Sequence, residues 1–193
     1  MAAFNFDAAR RWARFDPQRT LPRRRDDQLP FLDDCPIAGQ GLLLDTCVYI
    51  DQMQNRSPAI LDDVIAHRQV NHSTVAVQEL MHTVGVLNPS DPRTALVVTV
   101  IREQIQAMPP HRIFVPDGDI LGRAALLSGI LCRLQGYERD SKLRALQDCV
   151  LLLQAQKLGL VVLTANVADY DPLLQLVPAA RALFYRRRES HRT

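Results

Sequence analysis

The chain has 193 residues, of which 47% are hydrophobic and 23% charged, and its formal net charge is only +2. These values are typical of a soluble globular protein with one domain and room for an appendage. The small net charge gives no argument by itself for nucleic-acid binding, and no apolar run approaches the roughly 20 residues that a membrane span requires. The N-terminus also lacks the uninterrupted apolar region of a secretory signal.

Cysteine and histidine usage argues against both a zinc site and disulfide bonds. The four cysteines show no CxxC pair and no regular spacing, and Cys47 and Cys149 lie in apolar surroundings, as small core residues do. The five histidines are scattered and form no HExxH-like pair. These features predict a protein of the reducing cytoplasm.

Residues 1–40 differ in composition from the rest of the chain. A short amphipathic helix is predicted over residues 1–15, with Phe4, Trp12 and Phe15 as its apolar positions, and four prolines then interrupt the segment. We interpret this segment as an extension that either docks on its own domain or mediates oligomerisation. The sequence leaves both alternatives open.

From Gly41 onward, short apolar runs alternate with segments of helical periodicity. Strands are predicted over residues 42–44, 70–73, 112–115, 160–163 and 183–185, the last of them at an edge of the sheet. Helices are predicted over residues 46–55, 57–67, 74–86, 90–107, 117–135 and 142–158, with a polar turn over 136–141. With one more helix before the last strand, the order is β-α-α-β-α-α-β-α-α-β-α-β. This alternation predicts a parallel sheet with helices on both faces.

The first predicted strand, Leu42–Leu44, is followed directly by Asp45. Ligands of open parallel sheets bind beyond the carboxyl ends of the strands, so an acid at this place is expected to face a site rather than the core. The alternative is that Asp45 simply caps the helix that follows.

Three further acids lie near strand carboxyl ends or on helices joined to them. Glu79 lies one or two turns into a helix, Asp148 precedes the apolar run Cys149–Leu153, and Asp169 follows the fourth strand. In isolation Glu79 could be a solvated helix residue and Asp169 a turn or cap residue. The apolar run, in contrast, leaves few solvated directions for Asp148.

Gathering four carboxylates in one place has an energetic consequence. Two unit charges 4 Å apart repel each other by about 4 kcal/mol at an effective dielectric constant of 20, so without a counter-ion some of the acids would take up protons. Mg²⁺ and Mn²⁺ prefer oxygen ligands of this kind, whereas zinc would be expected with histidine or cysteine. The four acids therefore predict a magnesium or manganese site.

These segments resemble the motifs of PIN-domain ribonucleases, and especially those of VapC-like toxins of bacterial toxin–antitoxin pairs. LLDTCVYID at 43–51 is similar to the first motif of that family, STVAVQEL at 73–80 to the second and LTANVADY at 163–170 to the last. Asp148 corresponds to the third acid, in a helix that ends AQKLGL. The sequence departs from the family pattern just before Asp148, where small residues are often found, and in its long N-terminal extension.

The resemblance implies an α/β, PIN-like three-layer fold, with a central, mainly parallel sheet flanked by helices. Residues 41–186 would form the nuclease domain, with residues 1–40 as an N-terminal extension and residues 187–193 as a basic tail. The implied activity is divalent-metal-dependent endonucleolytic cleavage of single-stranded RNA, with Mg²⁺ or Mn²⁺ as cofactor. The implied partners are an antitoxin protein and a second copy of the chain, and the implied location is the cytoplasm.

The resemblance also assigns roles to individual residues. The catalytic and metal-binding acids would be Asp45, Glu79, Asp148 and Asp169. The supporting residues would be Thr46, Thr164 and Asn166. The arginines that contact the RNA backbone would be Arg186, Arg187 and Arg188.

Two other functions compete with this interpretation. One is a PIN-like scaffold without catalysis that binds RNA or a partner through the extension and the arginine-rich tail. The other is a flavodoxin-like phosphoacceptor domain, which also has acids after its strands. The phosphoacceptor is disfavoured because the chain lacks paired acids at the first strand and a lysine at the end of a late strand.

Overall fold

A computed structural model describes residues 4–11, 18–136 and 139–188 of the chain. Within them, one sheet contains the strands β1 (Leu42–Leu44), β2 (Val70–Ser73), β3 (Ile113–Phe114), β4 (Val161–Thr164) and β5 (Ala182–Phe184). The strand order across the sheet is β3-β2-β1-β4-β5, and every pair of neighbours is parallel. β1 is therefore the central strand, and its carboxyl end lies beside that of β4.

Helices connect the strands. They are α1 (Phe6–Arg10), α2 (Thr46–Met53), α3 (Ala59–His67), α4 (Thr74–Val86), α5 (Thr94–Gln106), α6 (Gly118–Gln135), α7 (Arg139–Leu158) and α8 (Val167–Leu176). Short 3₁₀ turns lie at Asp26–Gln28, Leu32–Asp34 and Pro110–Arg112. None of the helices in the described residues is long and apolar enough to cross a membrane.

The central strand shows how the sheet divides the core into two parts. Successive side chains of a strand point to opposite faces. Leu43 accordingly packs in the cluster that contains residues of α6, α7 and α8, whereas Leu42 and Leu44 pack in the cluster that contains residues of α2, α3, α4 and α5. All three leucines are buried, which explains why β1 reads as an uninterrupted apolar run.

The predicted fold class and order of elements are confirmed, and β5 lies at an edge of the sheet as predicted. One difference concerns the predicted polar turn over 136–141. Gly136 adopts a left-handed conformation with φ 65° that ends α6, and α7 already begins at Arg139. A left-handed glycine ends a helix within one residue, so α6 stops directly at Gly136.

The part of the N-terminal extension that the structure describes docks on its own domain. Leu29, Phe31 and Leu32 are buried in the two core clusters. Phe31 forms a parallel β-bridge with Phe184, and the two rings lie with centroids 5.8 Å apart. The extension thus covers the edge that β5 would otherwise expose. The predicted helix over residues 1–15 is observed as the short α1, and Trp12 and Phe15 lie outside the described residues.

Candidate active site

A cleft of about 870 Å³ opens beyond the carboxyl ends of β1 and β4. All four acids that the sequence singles out line this cleft, although they come from four different elements. Asp45 follows β1 directly, Glu79 lies on α4, Asp148 on α7 and Asp169 on α8. The sheet topology therefore brings together side chains that are up to 124 positions apart in the sequence (169 minus 45).

Asp45 is held by the strand that runs beside β1. Leu44 is in register with Leu163, and the Asp45 backbone N–H donates to the Leu163 carbonyl at 3.1 Å. The Asp45 Oδ2 atom accepts a hydrogen bond of 2.5 Å from Thr164 Oγ1 and one of 3.2 Å from the Cys47 thiol. Asp45 occupies the N-cap position of α2, but its side chain makes no capping hydrogen bond. The side chain therefore does not act as a simple helix cap; it is held by Thr164 and Cys47 instead.

Glu79 reaches the cleft from α4, which begins where β2 ends. Ser73 caps this helix by accepting a hydrogen bond from the Val75 backbone N–H. Glu79 lies six residues after Ser73 and is half-buried, and its Oε2 atom accepts a hydrogen bond from Thr46 Oγ1. Thr46 thus fixes Glu79 in the same way that Thr164 fixes Asp45.

Asn166 links the remaining two acids. Its Nδ2 atom donates to Asp169 Oδ2 at 2.8 Å and lies 3.4 Å from Asp148 Oδ2. Its own position is fixed because its backbone N–H donates to Thr164 Oγ1 at 2.9 Å. A continuous set of hydrogen bonds therefore runs from Asp45 through Thr164 and Asn166 to the other side of the cleft.

Burial and mutual repulsion perturb the acids of this cleft. Asp45 and Asp148 are each only 6% exposed. Burial raises the pKa of Asp45, although the hydrogen bonds from Thr164 and Cys47 oppose the shift. Burial also raises the pKa of Asp148 well above its usual range, and the negative charges of Asp45, Asp169 and Glu79 raise it further.

The acids face one cleft, but their side chains do not yet form a coordination sphere. No three His, Cys, Asp or Glu side chains among the described residues are grouped closely enough to hold a metal ion as they stand. At least one oxygen of each of the predicted ligands Asp45, Glu79 and Asp169 accepts a hydrogen bond from a threonine or asparagine instead. The cleft therefore gathers four acids whose oxygens take part in hydrogen bonds within the protein.

The three arginines predicted to contact RNA lie in different surroundings. Arg186 forms ion pairs of 3.1 Å with both Asp26 and Asp33 of the N-terminal extension. Arg187 lines the cleft, and its Nε atom donates to Asp51 Oδ2 at 2.7 Å. Arg188 is exposed.

Two further arginines, Arg144 and Arg23, line the cleft and were not among the residues predicted to contact RNA. Arg144 precedes Asp148 by four residues on α7, so helical spacing alone could have placed both on one face. Its positive charge opposes the rise in the pKa of Asp148 and of Glu79. Arg23 belongs to the N-terminal extension, and no pattern in the sequence connects it with the acids.

Comparison with solved structures shows the same fold in chains of three complexes. A VapBC structure from Salmonella typhimurium bound to DNA aligns with a TM-score of 0.52 and 16% identity, over 75% of this chain and 97% of the matched chain. FitAcB from Neisseria gonorrhoeae gives a TM-score of 0.50 and 22% identity, over 74% and 96% of the two chains. VapBC2 from Rickettsia felis, bound to a fragment of promoter DNA, aligns with a TM-score of 0.50 and 10% identity. The alignment covers 75% of this chain and 97% of the matched chain.

These matches extend over nearly the whole of the similar chains, so the shared part is a complete domain. No family model matches the sequence, and no curated protein matches it either. At such low identity the likeness is one of fold. The predicted PIN-like α/β architecture is therefore confirmed.

Proposed function

We propose that this protein is a divalent-metal-dependent endoribonuclease that cleaves single-stranded RNA, and that it acts as the toxin of a toxin–antitoxin pair. The observation that carries the proposal is the surroundings of Asp148, a buried carboxylate beside three other acids from separate elements. Concentrating charge in this way is costly unless a cation joins the acids. The fold, shared with chains of VapBC and FitAB complexes, supports the same conclusion.

The donor set fits a hard cation. Four carboxylates around one cleft offer the oxygen ligands that Mg²⁺ and Mn²⁺ prefer. The acids are not yet close enough to coordinate an ion, so metal binding is expected to draw Asp45, Glu79, Asp148 and Asp169 together. The attraction of a divalent ion for each carboxylate would offset their repulsion, which burial now makes severe.

The remaining side chains of the cleft have positioning roles in this proposal. Thr46, Thr164 and Asn166 orient the carboxylates by donating hydrogen bonds to them, and such outer hydrogen bonds strongly affect metal affinity. When bound, a divalent cation supplies activation of a water molecule for attack on phosphorus and neutralisation of phosphate charge. Arg187 and Arg144 lie where they can contact the RNA backbone around the scissile phosphate.

The proposal includes two protein partners. The matched structures are VapBC and FitAB complexes, and we propose a cognate antitoxin for this chain as well. We also propose that the chain forms a homodimer. Co-expression with the product of the adjacent gene, followed by purification and mass measurement of the complex, tests both partners.

Cleavage and metal binding should be measured separately. A fluorescent single-stranded RNA is incubated with the protein in Mn²⁺, in Mg²⁺ and in EDTA, and Mn²⁺ binding is measured by calorimetry in the absence of RNA. We expect cleavage only with metal, and a loss of about a hundredfold or more in Asp45→Asn and Asp148→Asn, because removing a ligand should exceed the 10- to 100-fold effect of its outer hydrogen bonds. Calorimetric Mn²⁺ binding should weaken in the same two variants.

Asp62→Asn is the matched control. Asp62 is an exposed acid on α3 that lies outside the residues lining the cleft, so this variant should bind Mn²⁺ and cleave RNA as the wild type does. Undiminished cleavage in Asp45→Asn and Asp148→Asn would contradict the proposal. Thermal melting of each variant shows whether lost activity results from unfolding.

The scaffold without catalysis is the second candidate, and one observation favours it. The acids as they stand do not form a group that could hold a metal ion. Calorimetry distinguishes the two functions, because the scaffold predicts no heat of Mn²⁺ binding at millimolar metal and the nuclease predicts saturable binding.

A further inference from the structure

The N-terminal extension places an arginine at the wall of the cleft that contains the four acids. Arg23 lines this cleft together with Arg144 and Arg187, and the three arginines come from the extension, from α7 and from the C-terminal segment. The carboxylates inside the cleft repel an RNA phosphate, so a substrate needs positive charge around them. Guanidinium groups suit this purpose because they bind phosphate oxygens in a bidentate manner.

The residue next to Arg23 anchors it to the domain. Arg24 Nε lies 2.5 Å from Asp171 Oδ1, and the Arg24 backbone N–H donates to Asp171 Oδ2 at 2.7 Å. Asp171 is completely buried, so this contact uses both oxygens of a carboxylate that no solvent reaches. On the other side of Arg23, the Pro22 carbonyl accepts a hydrogen bond of 3.0 Å from Gln175 Nε2. The backbone on both sides of Arg23 is therefore bound to α8.

A second group of contacts holds the rest of the extension in place. The guanidinium of Arg186 lies 3.7 Å above the centre of the Phe31 ring and pairs with both Asp26 and Asp33. Arg186 thus joins the C-terminal segment to the extension, and Arg187, the next residue, lines the same cleft as Arg23. These contacts position Arg23 of the extension and Arg187 of the C-terminal segment.

Arg23 itself is available for a ligand. Its side chain is 53% exposed, and its ion pair with Asp26, at 2.6 Å, is formed with a side chain that is 47% exposed. Exposed ion pairs of this kind contribute little to stability, so a phosphate can replace Asp26 at low cost. Asp26 retains Arg186 as a partner after such an exchange.

We propose that the N-terminal extension forms part of the RNA-binding surface and that Arg23 contacts a substrate phosphate next to the acidic cleft. This inference rests on the proposed nuclease function and adds to it a substrate contact from outside the shared domain. Arg24, Asp171 and Arg186 act as positioning residues, since they hold the segment that carries Arg23.

The test compares Arg23→Ala with Arg25→Ala in the full chain. Arg25 is two residues away, is 80% exposed, pairs with Asp27 and is not among the residues that line the cleft, so it is a matched loss of charge. Cleavage of a fluorescein-labelled single-stranded RNA of 12 nucleotides is followed with Mn²⁺ over a range of RNA and salt concentrations. Arg23→Ala should raise KM about five- to tenfold with kcat within about twofold, because a lost phosphate contact weakens binding uniformly.

The salt dependence identifies the contact as one with phosphate. Losing one phosphate contact on a single strand should reduce the slope of log KM against log salt concentration by about 0.7. Arg25→Ala should change KM by less than about twofold and should change this slope by less than about 0.2. Arg23→Lys should recover most of the wild-type KM, since lysine keeps the charge and loses only the planar fork.

Equal behaviour of Arg23→Ala and Arg25→Ala would overturn the inference. A lower KM in Arg23→Ala would also overturn it, because the extension would then obstruct the cleft instead of binding substrate. Failure of the proposed function is recognised earlier and separately: wild-type protein would cleave no RNA under any metal condition, and the inference would fall with it.

Discussion

Two pairs of buried aspartates differ in whether an arginine pairs with them. Asp51 and Asp171 are completely buried, and each meets guanidinium groups: Asp51 pairs with Arg56 and Arg187 at 2.7 Å, and Asp171 pairs with Arg24. Asp45 and Asp148 are nearly as well buried, at 6% exposure, yet neither forms an ion pair within the described part of the chain. The same residue type at similar depth thus has arginine partners in one place and no ion pair in the other.

This difference separates acids that hold the fold together from acids that we propose to bind a metal ion. A buried carboxylate requires a cation, or it takes up a proton. The chain supplies arginines for Asp51 and Asp171, and these contacts attach the C-terminal segment and the extension to the domain. For Asp45 and Asp148 burial raises the pKa, and Asp148 also feels the charges of its neighbours. The missing cation there is what the proposed metal ion would provide.

The comparison predicts that removing one acid from each set has different consequences for stability. Asp51→Asn in metal-free buffer should lower the free energy of unfolding by about 2–3 kcal/mol, somewhat less than the 3–5 kcal/mol typical of a broken buried pair because the two arginines remain partly exposed. Asp148→Asn should leave it unchanged or raise it, since the variant removes a carboxyl whose ionised form burial and the neighbouring acids disfavour. Urea denaturation of both variants measures the difference. A similar loss of stability in both would refute the distinction.

Asp171→Asn extends this test to the second arginine-paired acid. It should behave like Asp51→Asn, because its Oδ1 and Oδ2 atoms both accept hydrogen bonds from Arg24. Asp62→Asn, on the exposed face of α3, is the control and should alter stability by less than about 0.5 kcal/mol.

A smaller effect is expected from the hydroxyl that orients Asp45. Thr164→Val keeps the shape and β-branching of the side chain but removes the hydrogen bond to Asp45 and the acceptor for the Asn166 backbone N–H. RNA cleavage should fall about 10-fold, with weaker Mn²⁺ binding, since outer hydrogen bonds affect metal sites by about 10- to 100-fold. Rates and Mn²⁺ calorimetry with purified variant measure both effects.

Thr99→Val provides the comparison for Thr164→Val. The hydroxyl of Thr99 only donates to the Ala95 carbonyl one turn back in α5, away from the cleft. Cleavage by this variant should equal that of the wild type within about twofold. An equal loss in both valine variants would mean that Thr164 acts through general stability and not by orienting Asp45.

The sequence was sufficient for the order of the elements and for the acids that face the cleft. β1 and Asp45 are adjacent in the chain, and parallel strands bring their carboxyl ends to one edge, so local patterns carry that information. Arg144 could have been predicted in the same way, because it lies four residues before Asp148 on one helix. The prediction missed it only because the acids were considered without their neighbours.

The path of the N-terminal extension over the domain could not be predicted from local sequence patterns. Its position depends on contacts between residues far apart in sequence, such as Arg24 with Asp171 at a separation of 147 residues. Arginine and aspartate are frequent on any surface, so neither residue type identifies its partner. The different environments of Arg186 and Arg187 have the same origin: adjacent residues with identical side chains meet Asp26 in one case and Asp51 in the other.

The smallest predicted effect concerns a buried base whose pKa is lowered, as a counterpart to the buried acids whose pKa is raised. His72 is 7% exposed, its Nδ1 atom lies 2.7 Å from the Tyr49 hydroxyl, and burial lowers its pKa below the usual 6.5, with a further contribution from the charge of Arg112. Below pH 6.5 the unfolded chain therefore binds a proton that the folded chain resists, so the free energy of unfolding should decrease as the pH falls below 6.5 and through the folded pKa.

Urea denaturation at pH 7.5, 6.5 and 5.5 isolates this contribution when wild type and His72→Gln are compared. The variant should lose less stability on acidification than the wild type, whatever its stability at pH 7.5, because it lacks the group that the unfolded state protonates. His111→Gln, at an exposed histidine, should keep the wild-type dependence. Parallel curves for wild type and His72→Gln would show that the fold tolerates a charged imidazole beside Tyr49, and that burial alone does not decide which groups need a partner.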